Sequence, residues 1–388
     1  MENSGRPCET VNLESTYQYM SVDLTSAEEA SSRLGISRAS LYAYVSRGLI
    51  RSFSSPHDPR QRLYALDDVE ALIERKARFR RPTAAAATAL DWGLPVLETS
   101  ITQIKDERLY YRGQDAVVWA QTATLEETAC LLIGLDKDSF RLPSRLPDML
   151  PAPADGLHGF VTSAVRLLSE PRPKEMRPAE VASILRLMAA AGSGRDPGNE
   201  PLHSHLARAW KAPQAGDAIR RALVLCADHE LSSSAFAVRV TASTGASLRN
   251  TVIAGLAALS GPYHGGVTER VRTYLEDPGK AAAPSFQHKL YPQGDPRAAA
   301  ILADVPLLAS DATILQALEN ATGGKPSIDT ALVMLERAYG LPRGAAFTLF
   351  AVGRTAGWLA HAIEQRSQAQ LIRPRARYVV GEEPALSS

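Results

Sequence analysis

Cysteine is scarce in this chain: three occur in 388 residues, at Cys8, Cys130 and Cys226. Isolated thiols make neither a metal clip nor a disulfide scaffold, so no metal site is expected, and a reducing, cytoplasmic setting fits. Aromatics are few as well, at 6%. No apolar run reaches the roughly 18 residues that a membrane span needs. The first 22 residues are polar, lack the apolar stretch of a secretory signal, and read as a loose tail. An excess of one charge is also missing, since 43 Lys+Arg against 42 Asp+Glu leaves +1. That balance gives no overall pull towards nucleic acid or membrane. Gly-x-Ser-x-Gly does not occur, and Gly323-Gly324-Lys325-Pro326 lacks the spacing of a phosphate loop. No internal repeat appears. What remains, 45% hydrophobic and 22% charged, suffices to bury more than one core.

The last third is where chemistry concentrates. Five segments follow one another: Ser260-Gly-Pro-Tyr-His264-Gly-Gly, Phe286-Gln-His288 onward to Asp295-Pro-Arg297, Ser327-Ile-Asp329, Gly353-Arg354-Thr-Ala-Gly-Trp358-Leu-Ala-His361, and Leu371-Ile-Arg373-Pro-Arg. Each sets polar residues in apolar or Gly/Pro surroundings. Together they suit binding of a small dianion and removal of a proton from carbon. Arg354 is the most telling. Residues 345–360 read as a helix apolar nearly all round, and therefore buried. An unpaired guanidinium there costs several kcal/mol, so Arg354 needs an anion, either an internal carboxylate or a bound ligand. Arg297 and Arg373 add weight to the ligand, because guanidinium forks suit carboxylates.

These segments resemble the signatures of the citrate synthase family. The matching patterns are Gly-Pro-x-His-Gly-Gly, His-x-x-Tyr-x-x-x-Asp-Pro-Arg, x-Ile-Asp, Gly-Arg-x-x-Gly-Trp-x-Ala-His and Ile-Arg-Pro-Arg-x-x-Tyr. Upstream, Leu109-Tyr-Tyr-Arg-Gly113 and Ala227-Asp-His229-Glu continue the series, so the likeness runs from about Gly93 to Val380. It implies condensation of acetyl-CoA, as co-substrate, with oxaloacetate to give citrate and CoA, and no permanently bound cofactor. Asp329 would be the base on the acyl methyl, His264 the donor to the thioester oxygen, and His288 the group polarising the ketone. His229, Arg297, Arg354 and Arg373 would bind oxaloacetate. Arg373 would reach into a partner's site, which implies a homodimer.

On residue chemistry alone other readings stay open. Asp329 also suits a helix cap, His264 and His288 suit turns, and His229 suits a helix surface. The chain departs from the family in places. Ser285 and Gln287 stand where glycines are usual, Ser327 and Thr330 flank Asp329, and the stretch between Arg297 and Asp329 looks short. Those changes put substrate identity in question, and a 2-methylcitrate synthase-type enzyme is the alternative within the family.

The N-terminal part carries a second pattern. Ser26-Ala-Glu-Glu29 offers a capping box, Gly35 ends the first helix, and Arg38 to Arg47 forms a second. Residues 49–64 suit a wing hairpin, and 65–78 a third helix. Leu-Gly-Ile-Ser-Arg-Ala-Ser-Leu-Tyr and Tyr-Val-Ser-Arg-Gly-Leu-Ile resemble the winged helix-turn-helix of MerR-like and excisionase-like domains. That resemblance makes duplex DNA a candidate partner, through Arg38, Tyr42, Arg47, Arg60 and Arg62. A protein–protein role is the other reading. The expected organisation is a tail (1–22), a helix-turn-helix domain (23–80), a linker (81–90) and a catalytic domain (91–388) with a small mobile subdomain at about 264–329. The fold class expected is mainly α, with a citrate synthase-like, all-helical, two-domain core. The competing function is a DNA-binding regulator whose synthase-like part senses acyl-CoA or a dicarboxylate.

Overall fold

The computed structural model describes residues 23–46, 49–55, 58, 61–80, 96–141, 146, 150, 155–171, 177–278, 286 and 288–376, without the side chains at 74–80 and 177. The linker expected at 81–90 lies outside them. The chain divides into two compact units, Met1–Glu98 and Thr99–Ser388.

The first unit runs β1 (Leu24–Ser26), α1 (Ala27–Leu34), α2 (Arg38–Ser46), β2 (Ser52–Ser54), β3 (Arg62–Ala65) and α3 (Leu66–Arg80). Ser26 Oγ accepts the Glu29 amide at 3.2 Å, while Gly35 at φ 61° closes α1. The capping box is only half made. The Glu29 carboxylate turns instead to the Arg33 guanidinium, 2.8 Å away one turn on. The strands are antiparallel in the order β1-β3-β2, so β2 and β3 form the expected hairpin. Two details differ from expectation: β1 adds a strand too short to show alternation, and Ala65 belongs to β3 rather than to the third helix. Ala30, Leu34, Leu41, Ile50, Tyr64, Val69 and Leu72 make this unit's own core.

The second unit opens with an antiparallel meander, β4 (Thr102–Lys105), β5 (Arg108–Tyr111) and β6 (Gln114–Asp115). The all-helical expectation from residue 91 therefore needs correcting over this stretch. The helices that follow are α4 (Ala116–Trp119), α5 (Leu125–Ile133), α6 (Gly156–Ser169), α7 (Arg177–Ser193), α8 (Leu202–Ala209), α9 (Gly216–Leu225), α10 (Ser233–Ser243) and α11 (Leu248–Leu259). After them come α12 (Val267–Glu276), α13 (Pro296–Leu302), α14 (Ala309–Thr322), α15 (Ile328–Ala338) and α16 (Ala345–Gln368). The class is mainly α, as the sequence implied. Thr124 and Glu127 form a reciprocal capping box at the start of α5.

Helix α16 is the axis of this unit. Every residue from Ala345 to Ala362 is buried, because α5, α7, α9, α10, α11 and α15 all pack on it. Glycine lets one neighbour come very close. A Cβ at Gly353 would lie 2.6 Å from the Leu223 carbonyl, and one at Gly357 2.4 Å from that of Ala227. The end of α9 and the residues after it thus rest directly on the α16 backbone, and the Gly357 amide donates to Ala227 O at 3.0 Å. Among the described residues no helix is long and apolar enough to cross a membrane.

Candidate active site

The segment between α9 and α10 is pinned from two sides. From β5, the buried Tyr111 hydroxyl donates to Val224 O at 2.9 Å. From α16, Arg354 Nε donates to Cys226 O at 2.8 Å and Nη1 to Ser232 Oγ at 3.3 Å. The Arg354 guanidinium is 1% exposed, yet no ion pair to a carboxylate is formed among the described residues. Burial pulls its pKa down, and Asp228 is the strongest charge acting against that. The backbone and hydroxyl acceptors leave the cation's charge uncompensated by direct contact.

His229, on the pinned segment, shares a 2.9 Å hydrogen bond between Nε2 and the Tyr291 hydroxyl. The His288 ring stands edge-on to it, with centroids 5.4 Å apart, and lies 5.0 Å from the Tyr291 ring. The Leu290 amide donates to His288 Nδ1 at 3.2 Å, so a neutral His288 carries its proton on Nε2. Burial, then the neighbouring Arg297, lowers the pKa of both rings. Arg297 differs from Arg354. Its Nε and Nη2 are held bidentately by Asp295, at 2.9 and 2.7 Å. Both partners are almost fully buried, and the carboxylate keeps the guanidinium charged despite its burial. The sequence had assigned that fork to substrate; the structure gives two of its nitrogens to Asp295.

Asp295 also reaches helix α15. Having capped α13 through the Arg297 amide, it accepts the Ile328 amide on Oδ2 at 3.2 Å. It thereby ties the start of α15, and Asp329 with it, to the arginine. Nearby, a Cβ at Gly324 would meet Phe286 O at 2.0 Å, so only glycine allows the loop before α15 to lie against the loop leading to His288. Asp329 is half-buried, and its Oδ1, the buried oxygen, has no hydrogen-bond partner. Ser327, not Asp329, occupies the cap position. Burial pushes the Asp329 carboxyl up to about 7, against the pull of Arg297 and with the help of Asp295. A carboxyl with an unsatisfied oxygen, raised towards neutrality, is a candidate proton acceptor.

His264 sits in the turn between α11 and α12. Its Nε2 lies 2.9 Å from Ser234 Oγ, and its ring is edge-on to Phe350, 5.9 Å away. Arg354 stacks on that same Phe350 ring at 4.9 Å. Burial, and then Arg354, lowers the His264 pKa to about 3, so the ring is neutral at physiological pH.

His229, His264, His288, Asp329, Arg297 and Arg354 therefore form one cluster, each within electrostatic reach of another member. Arg373 does not join it. It is exposed on the extended segment after α16, where the Ile372 amide donates to Ser243 Oγ at 3.1 Å. Sequence reading gave no role to Ser232, Ser234, Asp228, Tyr291, Asp295 or Phe350. Tyr291 and Asp295 are fixed letters of a motif and Asp228 adjoins His229, but Ser234 and Phe350 carried no signal of their own. In the first unit Tyr42 is 55% exposed on α2. Arg38 pairs with Glu28 at 3.4 Å, and Arg62 donates to Ser54 Oγ at 3.2 Å. Arg47 and Arg60 lie outside the described residues. Among the described residues no group of three or more His, Cys, Asp or Glu is placed to hold a metal ion.

Comparison with known proteins bears on the same region. The family model described as citrate synthase, C-terminal domain, matches residues 172–375. A helix-turn-helix domain model matches residues 26–77. Citrate synthase 2 of Bacillus subtilis is 28% identical over 359 residues, covering 74% of this chain and 94% of that protein. Citrate synthase of Saccharolobus solfataricus is 30% identical over 350 residues, covering 72% and 93%. A 2-methylcitrate synthase of Corynebacterium glutamicum is 31% identical over 188 residues, covering 42% of this chain and 49% of that protein. Among solved structures, citrate synthase from Thermotoga maritima superposes with a TM-score of 0.62 at 24% identity, over 76% of this chain and 96% of that one. Citrate synthase from Thermoplasma acidophilum, solved as a ternary complex with carboxymethyl coenzyme A and oxaloacetate, does so with a TM-score of 0.56 at 22% identity, over the same shares. Both structural likenesses speak to fold. With a family model spanning more than half its length and relatives aligned along most of theirs, this chain, an acyltransferase of the citrate synthase type with a helix-turn-helix region at its N-terminus, belongs to the citrate synthase family.

Proposed function

We propose that the protein condenses acetyl-CoA with oxaloacetate to give citrate and free CoA. The observation that carries this reading is Asp329: a carboxyl with a buried, unpartnered oxygen, pushed up to about 7 and within electrostatic reach of Arg297 and Arg354. As a carboxylate it takes a proton from the acyl methyl. When the Ser234 hydroxyl donates to His264 Nε2, the ring's own proton sits on Nδ1 and is donated to the thioester oxygen, where enolate charge develops. The enol carbon then attacks the oxaloacetate ketone, polarised by His288 Nε2–H. Arg354, His229 and the part of Arg297 left outside its fork with Asp295 hold the carboxylates. Water finally cleaves the citryl thioester and releases the thiol. Supporting the assignment, both rings are favoured as neutral donors, because burial and a neighbouring arginine each disfavour the charged form.

The test is direct. Purified protein with oxaloacetate and a panel of acyl-CoAs should release thiol fastest with acetyl-CoA. Faster release with propionyl-CoA would move the assignment to the 2-methylcitrate reaction. No release with any member would end it.

Arg373 supplies a further expectation. Exposed and outside the cluster, it fits a role in a second copy's site, so activity should fall when the protein is diluted below its dimer dissociation constant. A fully active monomer, seen by light scattering under assay conditions, would remove that role.

Binding of duplex DNA is a second property, supported by the helix-turn-helix match. The described arginines on that unit are engaged at home: Arg33 with Glu29, Arg38 with Glu28, and Arg51 with Asp67 and Asp68. Such exposed pairs are weak and exchange readily for phosphate. Full-length protein should therefore be retained on duplex DNA at about 50 mM salt and released steeply by about 200 mM. Absence of retention at the lower salt would assign the unit to protein contacts instead.

A further inference from the structure

Beneath Arg354 lies an ionisable pair that the reaction above does not use. Asp228 is fully buried, two residues after the Cys226 carbonyl that holds Arg354 Nε. Its Oδ1 sits where a side chain at position 357 would be: a Cβ on Gly357, one turn along α16 from Arg354, would come within 2.3 Å. His361, one further turn on and equally buried, brings Nε2 to 3.3 Å from the same oxygen. The contact is ionic rather than a formed hydrogen bond, since neither Asp228 oxygen nor His361 Nε2 has a hydrogen-bond partner among the described residues, and from β4 the Thr102 hydroxyl also acts on the carboxylate. On the far side of the imidazole, Arg239 Nη1 approaches Nδ1 at 3.4 Å, and Arg239 is itself anchored to Gln365 and Glu364. A guanidinium only donates, so Nδ1 presents its lone pair and the ring's proton is on Nε2, facing Asp228. One stripe of α16 thus runs from Arg354 through Gly357 and His361 to Glu364 and Gln365.

We propose that Asp228 is a positioning residue, a fixed countercharge that His361 holds back from Arg354, so that the guanidinium is stabilised in the empty site yet left open to a dicarboxylate. The inference rests on the reading of Arg354 as a carboxylate-binding group. Removing the countercharge makes the site more cationic. Removing its restraint lets the carboxylate turn to Arg354 and compete with the ligand. The two changes act in opposite directions, which loosening of a merely structural network does not do.

The experiment measures oxaloacetate binding to the full-length protein by calorimetry, without acyl-CoA, with sulfate as a competing anion. Asp228→Asn is expected to tighten oxaloacetate about threefold or more and to strengthen sulfate competition in parallel. His361→Phe is expected to weaken oxaloacetate about threefold or more. Adding Asp228→Asn to His361→Phe is expected to restore the lost affinity, a non-additivity that marks direct coupling. Should either single variant fail to fold, the sign shown by the other and by the double variant decides. Unchanged affinities, or two single variants that shift the same way, overturn the proposal while leaving the functional reading intact. A wild-type protein that binds neither oxaloacetate nor sulfate instead removes the functional reading, and the countercharge with it.

Discussion

Asp329→Asn should abolish almost all thiol release while leaving oxaloacetate binding nearly untouched. The amide fills the same space but cannot take up a proton, and general-base removal typically costs about 10²–10⁴ in rate. The same substitution should make the protein more stable at alkaline pH. The carboxyl is raised from an ordinary value near 3.8 to about 7 on folding. Between those values the native state binds a proton that the unfolded state has released, so stability falls as pH rises from about 4 to about 7. Above that range the buried charge costs a few kcal/mol, at about 1.4 kcal/mol per pKa unit. The substituted amide carries no such charge. The variant's melting temperature should exceed the wild type's at pH 8, and the gain should vanish near pH 4. Retained turnover, or a stability gain that does not depend on pH, would mean that Asp329 is not the ionising base.

His264→Ala and His288→Ala should each lower turnover by about 10²–10³, the usual cost of losing one donor to a developing oxyanion. They should differ in what else they change. His288 packs against His229 and Tyr291, so its loss should also weaken oxaloacetate. His264 stands against Phe350 and Ser234, and its loss should leave oxaloacetate affinity close to wild type. Steady-state kinetics with each substrate varied in turn separates the two. Equal effects on oxaloacetate affinity would undo the division of labour between the rings. His264→Ala should remove no ionisation near pH 6–7, since burial already holds that ring's pKa down to about 3.

Much of this site was readable because its residues sit in unusual company. An arginine in an otherwise apolar helix, a histidine before two glycines, and a carboxylate after Gly-Gly-Lys-Pro each violate the local pattern, and such violations mark function. The helices were legible for the opposite reason: Thr124 with Glu127, and the uniformly apolar run of α16, follow local rules. The partners were not legible. Ser234 reaches His264 across 30 residues and Asp295 reaches Ile328 across 33, contacts that only the fold creates. The Arg297 fork looked free because nothing in Asp-Pro-Arg says that the aspartate folds back on the arginine two residues on. Strands β1 and β4–β6 escaped because two to four residues are too few for alternation to show. The half-made capping box at Ser26 is a competition that sequence spacing cannot rank: Glu29 had two suitors and took Arg33.

The central claim is carbon–carbon bond formation at a methyl group deprotonated by Asp329. It is tested most directly with acetyl-CoA fully deuterated at the methyl, mixed with oxaloacetate and the full-length protein. Expected are citrate carrying two deuterons in the new arm, one free thiol for each citrate, and product formation lowered about 10²–10⁴ in Asp329→Asn. Intact acetyl-CoA and oxaloacetate after prolonged incubation with protein that demonstrably binds oxaloacetate would contradict it.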